Sequence, residues 1–124
     1  MGAFKDFLGR LKWRIVWSWA GVRDAWLQQS SFRTWVWANV VSVLAAFILP
    51  LTGGERALIL ALGVILLAVE LLNTAIEYTV DYISTEKHPL AGRAKDAGSA
   101  AVFLTSVAGA VAWVMILWRI VFSG

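Results

Sequence analysis

Two acids and an amide stand in an apolar stretch where hydrocarbon-facing helices carry none. The run Glu70-Leu71-Leu72-Asn73-Thr74-Ala75-Ile76-Glu77, followed by Asp81, sets its polar side chains at spacings of three, four and four. At the helical period these positions share one face. Glu70 and Glu77 then stand two turns apart, about 10 Å along the axis. A carboxylate facing lipid tails is costly, so acids inside an apolar span turn toward a bundle interior or a wet cavity and mark a functional site. Acids in such a pocket take a proton from a substrate hydroxyl or hold a divalent cation. Interhelical hydrogen bonding explains Asn73 alone. It explains the two glutamates less well, because no lysine or arginine inside the spans neutralises both. Lys95 is the nearest candidate, and a metal ion or a shared proton would serve equally.

A second cluster, Ala91-Gly92-Arg93-Ala94-Lys95-Asp96-Ala97-Gly98-Ser99, brings two cations, an acid and a hydroxyl beside two glycines. Glycine allows a phosphate close to the backbone, and Lys95 can act on it as a point cation. A topology signal with ordinary helix capping would look the same. No Gly-x-x-x-x-Gly-Lys-Ser/Thr loop and no protein-kinase signature occurs, so phosphoryl transfer here needs another architecture. The chain has no cysteine, which excludes a disulfide scaffold, a thiol nucleophile and a thiolate metal site; its one histidine, His88, excludes a histidine-rich metal site.

The elements that must position these residues are helices in lipid. Of 124 residues, 60% are hydrophobic and 15% charged, far from the balance of a soluble domain. The length suits a single domain. The pattern predicts an all-α membrane protein: an N-terminal amphipathic surface helix over 4–30, then transmembrane spans over 34–51, 57–83 and 96–122. In the first unit Phe4, Phe7, Leu8, Leu11, Ile15, Trp19, Val22 and Trp26 recur at spacings of three and four, with basic residues between them. Such a helix reads as lying in the interface, where tryptophan is enriched. Its charges interrupt any secretory signal. No charge occurs over 34–54, 57–69 or 97–118, and about 20 apolar residues suffice to cross. Residues 52–56 form a short turn, and a polar loop is predicted over 84–95, with Pro89 breaking the helix. Six cations lie in the first 33 residues, and Lys87, Arg93 and Lys95 lie in the second loop. The positive-inside rule then sets the N-terminus and that loop in the cytoplasm. A net charge of +3, so distributed, argues against nucleic acid as a partner.

These stretches resemble the prokaryotic diacylglycerol kinase family, small trispanning enzymes of the bacterial inner membrane. The likeness runs from about Arg10 onward. Its strongest pieces are 69–77, Val80-Asp81 and 92–101, with Ser18-Trp19-x-Gly21 and Phe32-Arg33 in support. The resemblance implies transfer of the γ-phosphoryl group of ATP to diacylglycerol, with magnesium carried on the nucleotide. It also implies a homotrimer whose active sites are shared between subunits. By position, Glu70 resembles the catalytic base, Asn73 the amide beside it, and Glu77 the metal ligand. Lys95 resembles the residue on the nucleotide phosphates, with Asp96 next to it. Arg10, Trp17, Glu86 and His88 match nucleotide positions, and Ser18 and Ser99 match lipid positions. Two departures stand out. Gln29 occupies the place of a second metal-binding glutamate; an amide oxygen ligates magnesium without bringing charge, and Asp24 nearby could compensate. Trp17 replaces a tyrosine.

Two other functions fit parts of the pattern. A polyprenol kinase of the same family would phosphorylate undecaprenol instead. A small proton-coupled transporter would also carry a membrane glutamate, but those normally have four spans and one key acid.

Overall fold

The computed structural model of the chain describes residues 1–123. Every regular element among them is helical: α1 (Gly2–Gln28), α2 (Ser30–Ile48), α3 (Gly53–Ile83) and α4 (Pro89–Ser123). Helices α2, α3 and α4 are long and apolar enough to cross a membrane. The chain is a multi-pass membrane protein with one further helix, α1, at its N-terminus.

The breaks have local causes. Gln29 alone separates α1 from α2, in an extended conformation (φ −115°, ψ 106°). Arg33 folds back across this break and donates from Nη1 to the carbonyls of Trp26 (2.6 Å) and Leu27 (3.3 Å), serving acceptors that the end of α1 leaves open. Leu49 ends α2 in an extended conformation, as the residue before Pro50 must. Thr52 then starts α3 with a capping box: its Oγ1 accepts from Glu55 N at 3.1 Å, and Glu55 Oε1 accepts from Thr52 N at 2.8 Å.

The polar loop predicted over 84–95 is shorter than its sequence suggests. Helix α4 begins at Pro89 and leaves only 84–88 as a loop. Proline breaks a helix interior, but it suits the first helical position, where its missing N–H costs nothing and its fixed φ is already helical. Lys95 and Asp96 therefore lie on a helix, not in a loop. Helix α2 likewise starts before the apolar run, so Ser30 to Arg33 belong to it.

Helix α1 is almost entirely exposed within the chain, with Ala25 its only buried residue. Its apolar side chains, among them Phe4, Leu8, Leu11, Ile15 and Trp19, have no cover from the other helices. Helices α3 and α4 pack closely, in part because Gly98 is buried against the Asn73 side chain and a Cβ there would collide with Asn73 Oδ1. Small residues permit such crossings in lipid, where packing takes over the role of the hydrophobic effect. The buried apolar cluster of Ala46, Leu51, Ile59, Ala112 and Ile116 gathers near the 49–52 turn. The polar stripe of α3 lies toward the opposite end, near the 84–88 loop.

Candidate active site

Helix α3 is 31 residues long, about 46 Å, and so exceeds an apolar bilayer core of about 30 Å. With the apolar run starting at Ala57, Glu70 lies within that thickness and Glu77 near its edge. Glu70 is only 3% exposed. Ser31, at the start of α2, donates from Oγ to Glu70 Oε1 at 2.5 Å. A short hydroxyl–carboxylate bond of this kind holds the carboxylate in one orientation and leaves the second oxygen with free lone pairs. One turn on, Asn73 Nδ2 donates to Glu77 Oε1 at 3.3 Å. Asn73 Oδ1 is buried against Gly98 and has no hydrogen-bond partner among the described residues. A buried acceptor without a donor costs free energy, which the close packing of Asn73 on Gly98 offsets.

These groups line one open cleft of about 460 Å³, formed by Ser31 and Trp35 of α2, Glu70, Asn73 and Glu77 of α3, and Ser99, Phe103 and Ser106 of α4. The expected residues Glu70, Asn73, Glu77 and Ser99 thus meet in a single place. A smaller cavity of about 170 Å³ lies further along the bundle between Asn39, Ser42, Gly63 and Trp113, and no acid reaches it.

The remaining expected residues lie elsewhere in the chain. Lys95, read as the nearest cation for the two glutamates, pairs instead with Asp81: Nζ donates to Oδ1 at 2.7 Å. The helical start at Pro89 causes this, because it sets Lys95 two turns into α4, level with the last turns of α3. Glu86, His88 and Lys95 share a second hollow with Asp81 at the loop end. His88 Nδ1 accepts from the Leu90 N–H at 3.1 Å and its carbonyl accepts from Gly92 N at 3.1 Å, so His88 closes the first turn of α4. In neutral imidazole this leaves Nε2 carrying the proton, free to donate. Asp96 is exposed on α4. Arg10 and Trp17 line a groove formed by α1 alone, where Trp17 stacks on Trp13 with centroids 6.2 Å apart. Ser18 donates to its own helix, at the Arg14 carbonyl (2.7 Å). Within one chain, then, the groove of α1 is separate from the cleft on α3.

Gln29 lies against α3 at Tyr78. Its Nε2 donates to the Tyr78 hydroxyl at 3.0 Å, and that hydroxyl lies 3.0 Å from Asp24 Oδ2. No group of three or more histidine and acidic side chains that could enclose a metal exists among the described residues. A cation here would rest on isolated carboxylates and amide oxygens, completed by a ligand that brings its own. Ser31 and Tyr78 were not legible as site residues. A serine after a surface helix and a tyrosine near a helix end carry no motif, and only the fold sets them against Glu70 and Gln29.

A model of the prokaryotic diacylglycerol kinase family matches residues 16–117. The diacylglycerol kinase of Pseudomonas aeruginosa is 48% identical over 98 residues, covering 79% of this chain and 80% of the relative. That of Escherichia coli K12 is 40% identical over 101 residues, covering 82% and 83%. That of Haemophilus influenzae is 37% identical over 98 residues, covering 79% and 83%. The matched region contains α3, the loop and most of α4, and with them the cleft that holds Glu70, Asn73, Glu77 and Ser99. By the extent of these matches, the chain belongs to the prokaryotic diacylglycerol kinase family.

Proposed function

We propose that the chain transfers the γ-phosphoryl group of ATP to the free hydroxyl of diacylglycerol, giving phosphatidic acid and ADP. Family membership supports the lipid-kinase activity and ATP as co-substrate. The observation that carries the finer reading is Glu70, a carboxylate 3% exposed in a spanning helix, held by Ser31 on one oxygen and bordering an open polar cleft.

In this reading Glu70 accepts the proton of the lipid hydroxyl as that oxygen bonds to the γ-phosphorus. The bond from the γ-phosphorus to the β,γ-bridging oxygen breaks, and ADP leaves with the electron pair. The protein needs little covalent chemistry for this; positioning and charge neutralisation carry most of the rate. Asn73 orients groups beside the base. Ser99 and Ser18 contact the lipid. Lys95, with Asp96 beside it, meets the phosphates, a role that requires exchanging its Asp81 partner or sharing it. Arg10, Trp17, Glu86 and His88 contact the nucleotide.

The residues present fit a magnesium ion that arrives with the nucleotide. Magnesium is often held by one or two protein groups with phosphate oxygens completing the shell, and the Glu77 carboxylate on the open cleft offers that kind of sparse site. Glu77 and Gln29 would hold it, and when bound it would neutralise charge on the transferring phosphates.

The reading includes a homotrimer in the bacterial inner membrane with the N-terminus and the 84–88 loop in the cytoplasm. The separation of the α1 groove from the α3 cleft supports a shared site, since a neighbouring copy can bring the two together. A mixed-micelle assay with labelled ATP tests the function. Diacylglycerol is expected to be phosphorylated in preference to undecaprenol. Preference for undecaprenol would move the chain to the polyprenol branch, and ATP-independent proton flux in liposomes would favour a transporter.

A further inference from the structure

Three residues from three places in the chain meet in one directional hydrogen-bond chain. Tyr78 stands on α3 directly after Glu77. Its hydroxyl lies 3.0 Å from Asp24 Oδ2 on α1 and 3.0 Å from Nε2 of Gln29, the single residue between α1 and α2. Tyrosine has one hydroxyl proton, and an ionised aspartate only accepts. The proton of Tyr78 therefore goes to Asp24. The phenolic oxygen can then only accept, so Gln29 must present its NH2 to it. The amide group is planar, and turning its nitrogen to Tyr78 leaves Oε1 out of this chain.

The geometry points to Tyr78 as a positioning residue: by giving its only proton to Asp24, it sets the Gln29 amide with the carbonyl oxygen free to ligate a divalent cation. This rests on the reading of Gln29 and Glu77 as cation ligands. It also gives a role to Asp24, whose formal charge lies two hydrogen bonds from a ligand that has none. Without Asp24 the tyrosine proton is free to turn to Gln29 Oε1 and occupy the ligand atom. The same chain ties the end of α1 to α3, so the ligand and the surface helix are oriented by one hydroxyl.

The test uses the full chain in lipid nanodiscs with a non-hydrolysable ATP analogue. Bound Mn2+ is measured by electron paramagnetic resonance, and melting is followed in parallel. Tyr78→Phe keeps the ring and the net charge. It is expected to weaken Mn2+ binding about three- to ten-fold, the worth of one lost hydrogen bond, with melting unchanged. The KM for the metal–nucleotide is expected to rise more than kcat falls. Asp24→Ala is expected to weaken binding as well, and the double variant to be less impaired than the two losses combined, because both break one chain. Unchanged Mn2+ affinity in Tyr78→Phe, additive losses, or a fall in melting that accounts for the weaker binding would overturn the inference. Glu77→Gln separates the two levels. If it leaves Mn2+ binding intact while Tyr78→Phe weakens it, Glu77 drops out as a ligand and the role of Tyr78 stands. If the unsubstituted chain retains no Mn2+ in the presence of the nucleotide analogue, both fall.

Discussion

At one end of the bundle Arg119 grips both oxygens of Glu55, from Nε at 2.7 Å and Nη2 at 2.6 Å, and also donates to the Pro50 carbonyl at 3.0 Å. Arg56 donates to the Ala46 carbonyl at 2.9 Å and lies over the Phe47 ring, 5.2 Å from its centroid. Beneath them sits the buried cluster of Ala46, Ile59, Ala112 and Ile116. Toward the other end, the same helices carry a buried acid, an amide oxygen with no partner and an open cleft. The turn end satisfies its polar groups from within the chain. The loop end also pairs its polar groups, Lys95 with Asp81 and Ser31 with Glu70, but around open clefts. The two ends of α3 and α4 thus differ in what their polar groups surround, an apolar cluster at the turn end and an open cleft at the loop end.

That contrast can be broken at either end. The largest effect is expected from Glu70→Gln, which keeps the volume and can still accept from Ser31. Losing a general base costs about 10²–10⁴-fold in rate, so kinase turnover should fall by that order while melting stays near that of the unsubstituted protein. Full turnover in this variant would remove Glu70 as the base. Next comes Gly98→Val, whose side chain must enter the space held by Asn73 Oδ1. Overpacking of this kind costs about 1–3 kcal/mol, and both melting temperature and turnover should drop. A variant with normal values for both would mean that the α3–α4 crossing is looser than described. Ser31→Ala removes the hydroxyl that donates to the Glu70 carboxylate. A bond to a charged group is worth about 1.5–3 kcal/mol, so turnover should fall about ten- to a hundred-fold, with a drop in melting temperature no larger than one such bond accounts for. The smallest effect on activity belongs to Arg119→Ala. It should lower the melting temperature by a few degrees and leave turnover at low temperature unaltered. Loss of turnover there would show that the two ends are coupled.

The 84–95 region shows where reading along the chain stops being enough. Charges and a proline there read as a loop, and by composition that is reasonable. The same proline, at the first position of a helix, instead starts α4 and carries Lys95 round to Asp81. The sign of a proline's effect depends on its place in the helix: at the first position its missing N–H costs nothing, and in the interior it breaks the hydrogen-bond ladder. Gln29 is the opposite case: the family resemblance singles it out, but no spacing along the chain foretells its bond to Tyr78.

Composition and period alone determined that this is a helical membrane protein with three spans, and that Glu70, Asn73, Glu77 and Asp81 share a face. Those properties follow from the fixed rise and turn of a helix and from the cost of charge in lipid, both of which act locally. Which helix covers that face was decided only by the tertiary structure. It brought Ser31 to Glu70, Gly98 to Asn73 and Tyr78 to Gln29, and it left Arg10 and Trp17 apart from the cleft. Contacts between helices depend on crossing angle and on the side chains of both partners, and neither is written in the spacing of one segment.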